Sequence, residues 1–202
     1  KKSLRLERRE AGALLGDILR PVGASDVLQM LLDMALIDGD FDERERRFIE
    51  ELARSWNIDF DSLMTAPERS PGPRRSFSEL RGVLQQYLAK SPPAEQVSQL
   101  GDVLAVLISI DDTVSPEEQM MMEELGGMIS GYITGSDEAG HHVFIAPQSL
   151  AQEAALQEIM PDSKKELRLG GEVLVVGRYH SRAYAQMVRD RYRDAGYLTV
   201  AE

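Results

Sequence analysis

Ile37-Asp38-Gly39-Asp40-Phe41-Asp42-Glu43-Arg44-Glu45 recurs 73 residues later as Ile110-Asp111-Asp112-Thr113-Val114-Ser115-Pro116-Glu117-Glu118. Each copy closes an apolar segment, Leu28 to Ile37 and Val103 to Ile110. Each then crosses an acidic turn that holds one apolar residue, Phe41 or Val114, and opens a new helix. Asp42 and Glu45 have the N-cap and N3 spacing of a capping box, and so do Ser115 and Glu118. Pro116 stands at the first helical position, where a missing N–H costs least. Past the turn, Phe48, Ile49 and Leu52 answer to Met121, Met122 and Leu125. The spacing predicts a duplicated helix–acidic turn–helix unit.

Working outward, Ser3 to Leu19 reads as a helix with Leu4, Leu6, Ala11, Leu14, Leu15 and Ile18 near one face. Pro21 and Gly23 end it, and Ser25 or Asp26 caps the next, whose stripe is Val27, Leu28, Leu31, Leu32, Ala35 and Leu36. A third helix runs from Glu43 to about Trp56, stopped by Asn57 in a left-handed conformation. A short turn from Phe60 to Met64 follows, then a linker over 65–73 with Pro67, Pro71, Gly72 and Pro73. The pattern resumes with helices over Ser76 to Ala89, Ala94 to Ile110 and Pro116 to Tyr132. Two three-helix repeats, 1–64 and 74–134, are thus expected to pack as a pseudo-symmetric pair, with both acidic turns on one side.

After a connector at 135–141 the texture changes. Val143 to Ala146 is strand-like, and Leu150 to Met160 is helical. Lys165 to Leu169 and Glu172 to Tyr179 form a hairpin about Gly170-Gly171. Ser181 caps a helix expected to bury Ala183, Met187 and Val188; Gly196 ends it before a last strand, Tyr197 to Val200. The order β-α-β-β-α-β over 142–202 is the split βαβ arrangement. The fold class is an all-α bundle followed by a small α+β domain.

The formal net charge of −11 is unevenly spread: from Ser91 to Ser163 there is no Lys or Arg but there are thirteen Asp and Glu. Phosphate backbones would be repelled by that stretch, which argues against nucleic acid. It suits cations, a basic protein partner, or solubility alone. With no cysteine there is no disulfide, thiolate metal site or cysteine nucleophile. No apolar run approaches the ~18 residues that a membrane span needs. The compartment is left open: cytoplasmic as the chain stands, periplasmic if an export or anchor segment precedes Lys1.

The acidic turns are the best site candidates. Asp38, Asp40 and Asp42 alternate like the first ligands of a calcium loop, and hard oxygens suit Ca²⁺ or another divalent cation. The sixth and twelfth positions of such a loop are here Glu43 and Ile49 rather than glycine and glutamate, so this is not an EF-hand. A metal would need more than one segment, drawing on Asp38, Asp40, Asp42 and Glu45 with Asp111, Asp112 and Glu118. Helix capping alone explains Asp42, Glu45, Ser115 and Glu118, but not Asp40 or Asp112. His141 and His142 are adjacent and cannot both face one site in a strand. No Ser–His–Asp order, Walker loop or dinucleotide fingerprint is present, so the chain is read as non-enzymatic.

The helical part resembles the tellurite-resistance B (TerB-like) family. The residues that carry the likeness are Ala35, Asp38, Gly39, Phe41, Asp42 and Glu45, with Asp111, Val114, Ser115 and Glu118 in a degenerate second copy. The resemblance covers about residues 1–134 and implies an all-α fold, an acidic face for divalent metal and no catalysis. The tail is similar to the sporulation-related (SPOR) repeat, through Val173 to Gly177, Tyr179, Ser181, Arg182, Ala183 and Ala195-Gly196-Tyr197. Arg178 stands where that family commonly has proline. This resemblance implies a sheet face that binds peptidoglycan glycan, with Arg178, Tyr179 and Tyr197 as its candidate residues here. The expected function is an interaction or adaptor protein with a protein partner; the alternative is a cell-envelope protein that binds glycan through residues 142–202.

Overall fold

The computed structural model describes residues 21–37, 41–65, 77–110, 114–136, 140–168 and 170–202. The expected first helix over Ser3 to Leu19 and most of the linker at 65–73 lie outside them, as do the turn residues Asp38, Asp40, Asp111 and Asp112. The chain divides into two compact units, Lys1–Gly135 and Ser136–Glu202. The described residues form eight helices and one four-stranded antiparallel sheet.

The first unit is helical: α1 (Pro21–Ala35), α2 (Glu43–Ser55), α3 (Phe60–Thr65), α4 (Phe77–Ala89), α5 (Ala94–Ile108) and α6 (Pro116–Thr134). α1 packs on α2, α4 and α5, while α6 packs on α4 and α5. Burial follows the 73-residue offset. Ala24, Val27, Met30, Leu31, Met34 and Ala35 of α1 are buried, and so are Val97, Leu100, Val103, Leu104, Leu107 and Ile108 of α5. Burying each large side chain of this set contributes about 1.5–3 kcal/mol. The copies part company at Leu28 and Leu32, which are buried, whereas Gly101 is half-buried and Ala105 exposed. α1 meets three helices and is apolar on most of its circumference, whereas α5 keeps one side for solvent.

The helix ends obey local chemistry. α2 carries i,i+4 pairs Glu43–Arg47 and Glu50–Arg54, each at 3.1 Å, on the side away from buried Phe48, Ile49, Leu52 and Ala53. Trp56 is buried, and Asn57 follows at φ 55°, the expected left-handed stop. α6 ends on Gly135 at φ 68°. One expectation fails: α1 is already helical at Pro21, so Ser25 and Asp26 lie inside the helix rather than capping it. Proline is tolerated in a first turn, and Asp26 is drawn instead to Lys90, just past the end of α4. The offset itself carried the signal, because Pro21 corresponds to Ala94, the first residue of α5.

The second unit contains β1 (His141–Ala146), α7 (Leu150–Ile159), β2 (Lys165–Arg168), β3 (Gly171–Tyr179), α8 (Arg182–Asp194) and β4 (Leu198–Ala201). The sheet order is β2-β3-β1-β4, every neighbouring pair antiparallel. Gly170 at φ 83° turns the β2–β3 hairpin, and Gly196 at φ 88° returns the chain from α8 to β4. One sheet face is covered by the helices. There Ile145, Leu156 of α7 and Leu174 are fully buried, with Met160, Val176, Tyr192 and Tyr197 packed against them. α8 is rotated from expectation: Tyr184 and Ala185 are its buried residues, Met187 and Val188 are half-buried, and Ala183 is exposed. The cause is Tyr184, whose ring packs on Tyr179 of β3 at 5.3 Å between centroids and sets the helix face.

Candidate functional site

The described flanks of the two acidic turns are built as helix starts. Asp42 caps α2: its carboxylate accepts from the Arg44 N–H at 2.6 Å, and Glu45 Oε2 accepts from the Asp42 N–H at 3.0 Å. Ser115 caps α6 in the same way. Its hydroxyl accepts from the Glu118 N–H at 3.1 Å, and Glu118 Oε2 accepts from the Ser115 N–H at 2.8 Å. Glu45 and Glu118 are buried by this arrangement, so one oxygen of each is committed to a backbone donor.

The Arg44 backbone N–H holds the Asp42 carboxyl below the usual carboxylate range, against a smaller opposing effect of burial. Asp42 therefore supports the fold fully above its unfolded pKa, and its contribution fades as pH falls through the lower folded value. Asp59 is lowered too, chiefly by its hydrogen bonds with Ser62, and caps the short α3. Among the described residues, no group of three or more His, Asp or Glu side chains converges as metal ligands would. Asp42, Glu45 and Glu118 are thus placed as caps, and Asp38, Asp40, Asp111 and Asp112 lie outside the described residues.

The sheet supplies the second candidate. Alternation along β1 sends Val143 and Ile145 to the helix-covered face and His142, Phe144 and Ala146 to the opposite one. Register carries this across the sheet: Phe144 stands between Val175 and Val200, His142 faces Arg178, and Ala146 faces Leu198. Arg178 lies on the open face, opposite His142. Tyr179 and Tyr197 do not. Tyr179 is 7% exposed and packs at a tilt on Tyr184 of α8; Tyr197 packs on the Ile145–Leu174 cluster and meets Tyr192 edge-on.

A bulge displaces Tyr179. The β1–β3 register slips between Val143 and Phe144, leaving Val176 without an opposite residue. An extra residue reverses the alternation beyond it, so Gly177 and Tyr179 turn toward the helices. A Cβ at Gly177 would sit 2.5 Å from Tyr179 Oη; glycine there makes room for the tyrosine.

The residues that mark the open face were not singled out by sequence. Phe144 is only 4% exposed although the helices of this unit pack on the opposite face of the sheet. The guanidinium of Arg168 lies over its ring, 4.8 Å from the centroid. Glu166 and Glu202 hold that guanidinium, each through a 3.1 Å bond. His142 stands beside the ring, with centroids 6.0 Å apart. The available signal was the i, i+2 pairs His142/Phe144 and Glu166/Arg168, which a strand places on one face.

No family model, curated protein or solved structure matches this chain. The site is therefore read from its own chemistry. Among the described residues no helix is long and apolar enough to cross a membrane.

Proposed function

We propose that this chain is a non-enzymatic interaction protein: a TerB-like helical unit with a divalent-cation site at its acidic turns, joined to a SPOR-like sheet unit that binds a partner. The observation that carries the reading is the open sheet face, which presents an aromatic ring among paired charges while the other face is spent on the core. The βαββαβ order with β3 inserted between the parallel strands β1 and β2 supports the split βαβ assignment. A common offset of 73 residues in helix starts, capping boxes and buried positions supports the duplication. Fold likeness alone does not carry function, so each unit has its own test.

For the helical unit, the turns supply only hard oxygens, so Ca²⁺ is expected ahead of Mg²⁺. Free Ca²⁺ at about ten times its dissociation constant would add ~1.4 kcal/mol to stability. Thermal melting in millimolar CaCl₂, then in EDTA, is expected to show a rise that EDTA reverses and that Asp38→Ala abolishes. Identical melting in all conditions would leave capping as the whole role of these residues.

For the sheet unit, glycan is the competing ligand. The chain is expected to stay in the supernatant when mixed with peptidoglycan stripped of its stem peptides. Co-sedimentation that increases with stripping would replace the protein partner with a glycan strand.

A further inference from the structure

The open face of the sheet already contains a ligand-like group, supplied by the chain itself. Arg168 lies at the end of the edge strand β2, yet its guanidinium reaches Phe144 two strands away and Glu202 just beyond β4. Glu166 accepts from its Nε and Glu202 from one terminal nitrogen. An aromatic face below a planar cation, with carboxylates at its edge, is the environment that selects guanidinium over ammonium. The flat group stacks on the ring while its fork meets the carboxylates.

The resident group is held loosely. The Arg168 side chain is 41% exposed, and ion pairs at that exposure are screened and contribute little. If Arg168 swings into water it recovers its hydration, while the ring and both carboxylates are left facing solvent. Another guanidinium can then occupy the same position. The surplus that favours an incoming chain comes from the rest of the face, where Val175 and Val200 are half-buried and Leu198 is 53% exposed.

We propose that this face binds an arginine side chain of a basic protein partner, at the position that Arg168 fills in the free protein. The proposal rests on the reading of the open face as the binding surface and names the chemistry of its partner. Arg168 then acts as an internal competitor. A site occupied by its own residue nine-tenths of the time binds an outside ligand about tenfold more weakly than the vacated site.

The test is an amide NMR titration of the full chain with acetyl-Gly-Arg-Gly-amide, and with the matched lysine and glutamate peptides. The expected result is shifts confined to the sheet around Phe144, including Glu166 and Arg168 of β2. The dissociation constant should fall about tenfold in Arg168→Gln. Adding Glu166→Gln and Glu202→Gln to that variant should abolish the effect, and the glutamate peptide should do nothing. These three residues stand at the surface, so unchanged spectra elsewhere will establish that the variants are folded. Equal affinity in wild type and Arg168→Gln, or peptide shifts confined to the acidic stretch of the helical unit, overturns the proposal. Stripped glycan strands are added to parallel samples. If they shift the Phe144 region and the peptide does not, arginine recognition is wrong and the binding face stands. If neither shifts it, the reading of the face fails as well.

Discussion

Replacing Glu124 with alanine is expected to lower the stability of the helical unit by ~3–5 kcal/mol. Glu124 is fully buried on α6, and its Oε1 accepts from Arg81 Nε of α4 at 2.7 Å. The Arg81 side chain is itself only 21% exposed. Removing the carboxylate breaks the ion pair that ties a largely buried guanidinium to α6, and breaking such a pair from one side costs more than the intact pair contributes. Glu124→Gln keeps the volume and one acceptor, so a smaller loss is expected. The double variant Arg81→Leu/Glu124→Leu removes both charges and should recover most of the stability. The chain has a single tryptophan, Trp56, buried in this unit. Urea unfolding followed by its fluorescence reports the helical unit without the sheet. A loss below ~1 kcal/mol in Glu124→Ala would place the pair with screened surface ion pairs and remove it as the tie between α4 and α6.

What the sequence made legible was local. Both capping boxes span four residues, and both formed as their spacing demanded, because an N-cap and its N3 partner are neighbours before anything packs. The left-handed stop at Asn57 and the turns at Gly170 and Gly196 follow from single-residue conformational preference. The sheet order depends on longer pairings but was constrained by a hairpin that two adjacent glycines fix.

What stayed illegible depends on distant partners or on phase. Glu124 looks like one more acid in an acidic stretch until Arg81, 43 residues away, is placed beside it. Tyr179 was expected on the ligand face, and one extra residue, Val176, turned it inward. Ala183 was expected in the core, but it is exposed, and Tyr184 is buried against Tyr179 in its place. Phe144 reads as an ordinary strand residue, since its importance lies in a guanidinium that crosses to it from the other end of the sheet. The candidate site was thus legible as a face and not as a set of residues.

Leu31→Ala and Leu104→Ala are each expected to cost ~2–5 kcal/mol. Both side chains are fully buried, on α1 and α5, at positions 73 residues apart. Truncation removes their transfer energy and leaves a cavity that collapses only in part. The two costs are informative together. α1 is enclosed by α2, α4 and α5, so the walls around Leu31 have little freedom to close, and its cost belongs at the upper end. α5 has an exposed side at Ala105 and Ser109, so the cavity at Leu104 can relax, and its cost belongs lower. Trp56 fluorescence in urea measures both on one scale. The double variant then asks whether the sites act on each other. α1 and α5 pack together, and side chains that share a cavity are coupled by ~0.5–3 kcal/mol, whereas independent sites add. Clear non-additivity is expected if the proposed duplication pairs α1 and α5 across a pseudo-twofold axis, since equivalent residues then lie near that axis. Strict additivity would mean that Leu31 and Leu104 line separate cores, and the offset of 73 would then describe two similar segments without a shared interface.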